Sequence, residues 1–133
     1  TLAKFVEKDY DKVTKVLQLR RDYSTQIERV EKGIQAEQQG ASEEAKELLD
    51  LELLSRRLDA GLATLQAIDV ILAWLIAEDG GARRKIKASL AERDETFSVL
   101  EATLSEQIAG LDVSEEEGQD MKDMLGTLVE FLK

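Results

Sequence analysis

Apolar side chains recur at helical spacing through the first third of the chain. Between Asp11 and about Gln39 they follow one another at intervals that place them on one stripe of a helix. The positions are Val13, Val16, Leu17, Tyr23, Ile27, Val30 and Ile34. Asp9 or Asp11 is expected to cap the start of this helix by accepting backbone N–H bonds, and Gly40 is expected to end it.

A second long helix is predicted from Ser42 to Glu78. Ser42 is a favourable N-cap residue, and no strong stop signal occurs before Gly80-Gly81. Joined by a short turn, the two helices predict a long antiparallel αα-hairpin over residues 11–79. Residues 1–8 resemble the last turns of a helix that begins upstream.

Three shorter helices are predicted over residues 81–133. The first runs from Gly81 to Arg93, and Asp94 is expected to cap the next one. Ser114 and Glu117 have the spacing of a capping box before the last helix. The apolar face of that helix comprises Met121, Met124, Leu125, Leu128, Val129 and Leu132. The sequence therefore predicts one all-α domain over residues 1–133, with helix pairs in series as in an α-solenoid.

The residue types argue against catalysis. The chain contains no cysteine and no histidine, which excludes disulfides, thiolate or imidazole metal sites and reactions that need a histidine base. Carboxylates cluster where helices are predicted to start, as at Glu43-Glu44, and the helix dipole explains them there. Gly80-Gly81 lacks the pattern of a phosphate-binding loop. We expect no enzymatic activity, no cofactor and no metal. An enzyme remains an alternative only through a metal site built from carboxylates alone.

The net charge of −10 is concentrated at one end, because residues 94–133 hold two of the cations and 11 of the carboxylates. An acidic end repels nucleic acid and favours basic protein partners. The basic run Arg83–Lys87 has no interleaved aromatic residues, so it predicts a solvated helix face and no direct nucleic-acid binding. The apolar stretch Ala67–Ala77 is shorter than the 20 or so residues that span a bilayer, and Asp69 interrupts it. No membrane partner is expected.

Two side chains in the central apolar stretch have alternative interpretations. Asp69 is expected on a partly exposed edge of its helix or in an ion pair with Arg20 or Arg21, because an unpaired buried carboxylate is costly. Trp74 lies in a segment that is apolar on all sides, which predicts a core position. The alternative for Trp74 is an anchor at a protein interface.

Around Gly61 the sequence is more distinctive. Glu52 and Arg56 are spaced as a favourable i, i+4 ion pair. Gly61 within a predicted helix costs about 1 kcal/mol relative to alanine, so we expect another helix to approach closely there.

This region also carries a family resemblance. The segment Arg56-Arg57-Leu58-Asp59-Ala60-Gly61-Leu62, followed by Leu65-Gln66 and Ile68, resembles the C-terminal region of β-catenin-like proteins, which are nuclear, spliceosome-associated and of armadillo type. The opening Leu2-Ala3-Lys4-Phe5, with Asp9 and Lys12-Val13, also fits that family. The resemblance is best over residues 1–75.

The resemblance implies a role that the spacing of residues does not. It implies a nuclear protein-interaction and scaffold domain that caps an armadillo-like solenoid. Its partners would be splicing factors with basic segments similar to nuclear localisation signals, and the NineTeen complex. No groove residues carry over to this chain. The residues that we select as interaction candidates are Arg56, Arg57, Asp59, Trp74, Glu115, Glu116 and Glu117. The alternative is an independent helical bundle or coiled-coil module that forms a homodimer and has no link to splicing.

Overall fold

Residues 10–133 are described by the computed structural model, and within that range every regular element is an α-helix. There are six in these residues: α1 (Asp11–Gln38), α2 (Glu43–Asp59), α3 (Leu62–Glu78), α4 (Gly80–Ala91), α5 (Ser98–Ala109) and α6 (Glu116–Leu132). The predicted all-α class is confirmed. The predicted end of an upstream helix at residues 1–8 and the capping role of Asp9 lie outside the described residues.

The chain forms two compact units. One unit combines the described residues up to Gln18 with Gln66–Lys133, and the other is Leu19–Leu65. Both α1 and α3 contribute residues to each unit. The single domain over residues 1–133 and its division into a hairpin and three shorter helices stay predictions.

The unit Leu19–Leu65 contains the turn between α1 and α2. Gly40 has a φ of 74°, a left-handed conformation that glycine adopts without steric cost. Ser42 then caps α2, since its side chain accepts a hydrogen bond from the Ala45 backbone N–H at 3.2 Å. Both roles are as the sequence predicts.

The predicted continuous helix from Ser42 to Glu78 is wrong. The chain breaks at Ala60-Gly61, where Gly61 has a φ of 104° that a helix does not contain. A Cβ atom at Gly61 would overlap the ring of Tyr23 in α1, so the expected close approach of another helix is found here. Ile27, Leu62 and Leu65 form the buried cluster beside this contact, with Tyr23 and Ala60 packed against it. The break therefore lets the backbone approach α1 and place two leucines in this core.

The unit that combines the described residues up to Gln18 with Gln66–Lys133 has a larger core. Its fully buried apolar side chains come from α1, α3, α4, α5 and α6, and α5 packs against α6. These side chains are Val13, Leu72, Ala73, Ala82, Ile86, Leu100, Leu104 and Leu125. Burying one leucine or isoleucine stabilises a fold by roughly 1.5–3 kcal/mol, so this set anchors the unit.

Two acidic residues lie at helix ends, one with a role that was not predicted and one with a role that differs from its prediction. Asp79 caps α4, because its Oδ2 accepts the Ala82 backbone N–H at 2.7 Å and the Tyr10 hydroxyl at 3.1 Å. Asp94 was expected to begin a helix, and instead it ends one. It has a φ of 58°, and the Asp94 and Glu95 N–H groups donate to the carbonyls of Ala91 and Leu90. That pair of bonds is a Schellman motif, in which aspartate tolerates the left-handed position.

The start of α6 also differs from the prediction. Glu115 occupies the N-cap position without a side-chain cap. The Ser114 hydroxyl and backbone N–H donate to Asp112 Oδ1 instead, at 2.5 and 3.0 Å. The predicted capping box of Ser114 and Glu117 is therefore wrong, because a local turn takes up the serine side chain.

Candidate interaction surfaces

Two of the candidate residues, Arg56 and Arg57, connect α2 to α1. The guanidinium of Arg56 donates to Glu52 at 2.9 Å and to Glu37 of α1 at 3.3 Å. The hydrogen bond to Glu52 is the main cause of a raised pKa for Arg56. Arg57 Nε lies 4.0 Å from a carboxylate oxygen of Glu31. The predicted pair of Glu52 and Arg56 is present, and both arginines make polar contacts between α2 and α1.

Asp59 is the last residue of α2 and is exposed. No hydrogen bond or ion pair joins its side chain to another residue in the described part of the chain. Its role in binding a partner stays a prediction.

The outward side of α2 is a surface that the sequence reasoning missed. None of the 17 residues of α2 is buried. Four leucines are exposed to between 50% and 76% of their surface: Leu48, Leu51, Leu54 and Leu58. The available signal was that the leucines of α2 occur on all sides of the helix, more than the one neighbour α1 covers.

Trp74 is 59% exposed, so the predicted core position is wrong. The buried residues of α3 include Ile68, Leu72 and Ile76, which share one side of the helix. Trp74 lies with the partly exposed Ile71 on the other side. The alternative interpretation of Trp74, as an interface anchor, stays a prediction.

Asp69 is fully buried, so its predicted exposed position is wrong. Its Oδ2 accepts a hydrogen bond from the hydroxyl of Thr103 in α5 at 2.5 Å. A buried carboxylate needs such a donor, and the contact connects α3 to α5. The alternative pairing with Arg20 or Arg21 stays a prediction. Nothing in the sequence near Thr103 indicates this contact.

The remaining candidates, Glu115, Glu116 and Glu117, are exposed at the start of α6. The carboxylates of Glu116 and Glu117 lie in the first turn, where they interact favourably with the positive end of the helix dipole. Farther along the same helix, Met121, Met124 and Phe131 are exposed. Sequence reasoning placed both methionines on the apolar face, whereas that face buries only the leucines and the valine.

A cavity of about 420 Å³ opens between α4, the start of α5 and the end of α6. Arg83 lies at its wall with its guanidinium carbon 5.0 Å from the centre of the Phe97 ring, and it donates to the Phe131 carbonyl at 3.1 Å. Lys87, Glu101 and Leu132 also line it. Part of the basic run Arg83–Lys87 is thus structural, since Arg83 binds neighbouring elements and Ile86 is buried.

In residues 10–133, no group of three or more acidic residues is arranged to hold a metal ion. No single helix in that range is long and apolar enough to cross a membrane, and α2 with α3 reaches the required length and composition only when the two are joined across their break.

The chain matches a known protein family. The family described as catenin-beta-like, Arm-motif containing nuclear matches residues 1–105. No curated protein matches the chain significantly. The matched range covers most of the chain and includes α1 to α4.

Proposed function

Because this chain belongs to the catenin-beta-like family of nuclear, Arm-motif-containing proteins, we propose that it is a non-catalytic interaction and scaffold section that caps the solenoid of an adaptor for pre-mRNA splicing. The armadillo-like α-solenoid class and the nuclear localisation predicted from the resemblance are confirmed by the family. The role in splicing, the scaffold function and the absence of catalysis belong to the proposal.

The observation that supports an interaction role is the exposed leucine face of α2. Four leucines at 50% to 76% exposure make an apolar patch on one 17-residue helix. Soluble proteins usually cover such a patch with a neighbouring repeat or a partner. The polar contacts of Arg56 and Arg57 fix the opposite side of α2 on α1, which leaves the leucine side available.

The proposed partners are splicing factors with basic segments and the NineTeen complex. The acidic composition of residues 94–133 supports basic partners, because opposite charges steer association and suppress wrong pairings. Direct nucleic-acid and membrane binding are not part of the proposal.

The test is purification of the tagged chain from nuclear extract, followed by quantitative mass spectrometry. We expect enrichment of splicing proteins and its loss with Leu51→Glu/Leu54→Glu, which places charge in the leucine face. The control is Gln26→Glu/Glu28→Gln, a charge-neutral change at exposed positions of α1. Enrichment no greater than that of an unrelated acidic helical protein would contradict the proposal.

A second candidate function is homodimerisation, which the same leucine face favours. Light scattering distinguishes the two on the isolated chain. A mass near 14.9 kDa is that of one chain, and about twice this value indicates a dimer. If the wild-type chain is a dimer and Leu51→Glu/Leu54→Glu is a monomer, the homodimer accounts for the leucine face.

A further inference from the structure

One edge of the buried face of α6 carries exposed apolar side chains. Met121, Met124 and Phe131 are each between 39% and 46% exposed. At about 100° per residue they fall within roughly one quarter of the helix circumference. The four buried residues of α6, which include Leu125 and Leu132, occupy the neighbouring arc, and this arc overlaps the stripe at Met121. The exposed stripe therefore borders the buried face that fixes α6 in the core.

Carboxylates border this stripe. Glu116, Glu117 and Asp120 lie on the same half of the helix as Met124 and Phe131 at that angular spacing, and all three are exposed. The stripe is apolar along its centre and acidic at the N-terminal end of α6.

Cations are scarce on this half of the helix. Lys122, the one cation within α6, lies about 160° around the helix from Met124. Lys133, just after the helix, is 3.4 Å from a carboxylate oxygen of Glu130 and so partly neutralises it. The negative charge along the stripe is therefore not matched within α6.

We propose that this exposed stripe of α6 docks a basic amphipathic helix of a partner protein. The stripe comprises Met121, Met124 and Phe131 with Glu116, Glu117 and Asp120. An amphipathic helix places apolar side chains three, four and seven residues apart, which matches an exposed apolar stripe on a facing helix. Lysines and arginines at its edges would face the carboxylates. Methionine is flexible and polarisable, so it accommodates partner side chains of different shape.

The inference rests on the proposed interaction function and adds the chemistry and location of one partner site. The α6 stripe differs from the leucine face of α2 in the chemistry that it presents to a partner. Leu48, Leu51, Leu54 and Leu58 present an apolar patch on a helix with no buried residue, whereas α6 presents charge and apolar groups together from a fixed position.

The test uses a designed probe and the 133-residue chain. The probe is a fluorescein-labelled 18-residue peptide of leucine and lysine at helical spacing, and its controls are a scrambled peptide of the same composition and a version with glutamate in place of lysine. Fluorescence anisotropy measures binding at low and high salt. We expect the probe to bind, its affinity to fall as salt rises, and both control peptides to bind at least about tenfold more weakly.

Variants assign the binding to α6. Met121→Ala/Met124→Ala/Phe131→Ala is expected to weaken probe binding at least about tenfold while the salt dependence remains. Glu116→Gln/Glu117→Gln/Asp120→Asn is expected to weaken binding several-fold and to reduce the salt dependence. The matched controls are Leu51→Ala and Glu43→Gln/Glu44→Gln, which make the same kinds of change on α2 and should leave the affinity unchanged.

Each opposite result overturns the inference. It fails if the scrambled peptide binds as well as the probe, if the apolar triple variant keeps its affinity, or if the α2 controls lose as much as the α6 variants. The proposed function fails separately, when nuclear extract yields no splicing proteins. Enrichment of splicing proteins without probe binding would reject the α6 site alone.

Discussion

The helices α2 and α6 have the same length, 17 residues, and acidic first turns, yet they are buried very differently. α2 contains six leucines and buries none of its residues. α6 has seven apolar residues and buries four of them, which are Leu125, Leu128, Val129 and Leu132. The number of apolar residues does not explain the difference.

Their angular distribution does. The four buried residues of α6 fall within an arc of about 100°, which is the width that a core-facing stripe occupies. The leucines of α2 are spread over more than half of the circumference, so a single neighbouring helix leaves several uncovered. Burial thus depends on whether the apolar positions share an arc, and an excess outside that arc stays exposed.

The largest expected effect is on the free energy of unfolding, where the same substitution should cost far more in α6 than in α2. Leu125→Ala should destabilise its unit by about 2–5 kcal/mol, because Leu125 is fully buried and its removal leaves a cavity. Leu51→Ala, the same substitution at the most exposed leucine of α2, should change stability by less than about 0.5 kcal/mol. Urea unfolding followed by circular dichroism measures both. Equal costs would show that α2 is covered in solution.

The next effect concerns the end of α2. Gly61→Ala should lower the free energy of unfolding by about 1–3 kcal/mol. The new Cβ would overlap the Tyr23 ring, and the φ of 104° strains alanine. Gly33→Ala is the control within α1, where a Cβ meets no atom within 4 Å. That change should stabilise by up to about 1 kcal/mol. Thermal unfolding that moves in the same direction for both variants would contradict the close approach at Gly61.

A smaller effect tests the start of α2. Ser42→Ala should cost about 1 kcal/mol, because Ser42 satisfies the Ala45 N–H. Hydrogen exchange should accelerate in the first turn of α2 and remain unchanged in α6. Ser42→Asp is the matched control that restores a capping oxygen, and it should retain slow exchange. Exchange in α2 that is equally slow in all three proteins would rule out a stabilising cap.

The smallest effect concerns the turn before α6. Hydrogen bonds from the Ser114 hydroxyl and backbone N–H lower the pKa of Asp112. A carboxyl whose folded-state pKa is lowered contributes stability above its unfolded pKa of about 3.9. That contribution is lost as the pH falls through the lower, folded pKa. Ser114→Ala should move the pKa of Asp112 back up, as measured by NMR titration of the carboxyl carbon. An unchanged value would remove the hydroxyl as the main cause.

The sequence predicts the fold well where one signal dominates. The bounds of α1 and the cap at Ser42 follow directly from apolar spacing and a favoured N-cap residue. The break at Gly61 could not be located in the same way, because the apolar residues on both sides continue the helical pattern. It depends on the approach of Tyr23, which is a tertiary contact.

Other features depend on which hydrogen-bonding groups compete for the same side chain or backbone. Asp94 and Ser114 both have side chains that cap helices, and local geometry uses them differently, one in a Schellman motif and one in a turn with Asp112. The candidate surfaces were harder still. Trp74 lies in a segment with no polar side, so only the packing of α3 reveals which residues face outward.

The exposure of Trp74 has a practical consequence, because it is the one tryptophan in the sequence. Its indole is already in contact with water in the folded chain, so emission should shift little towards longer wavelengths when the chain unfolds. A molecule that covers the outer side of α3 would instead shift the emission towards shorter wavelengths. The native fluorophore therefore reports occupancy of that surface better than it reports folding, and no added label is needed.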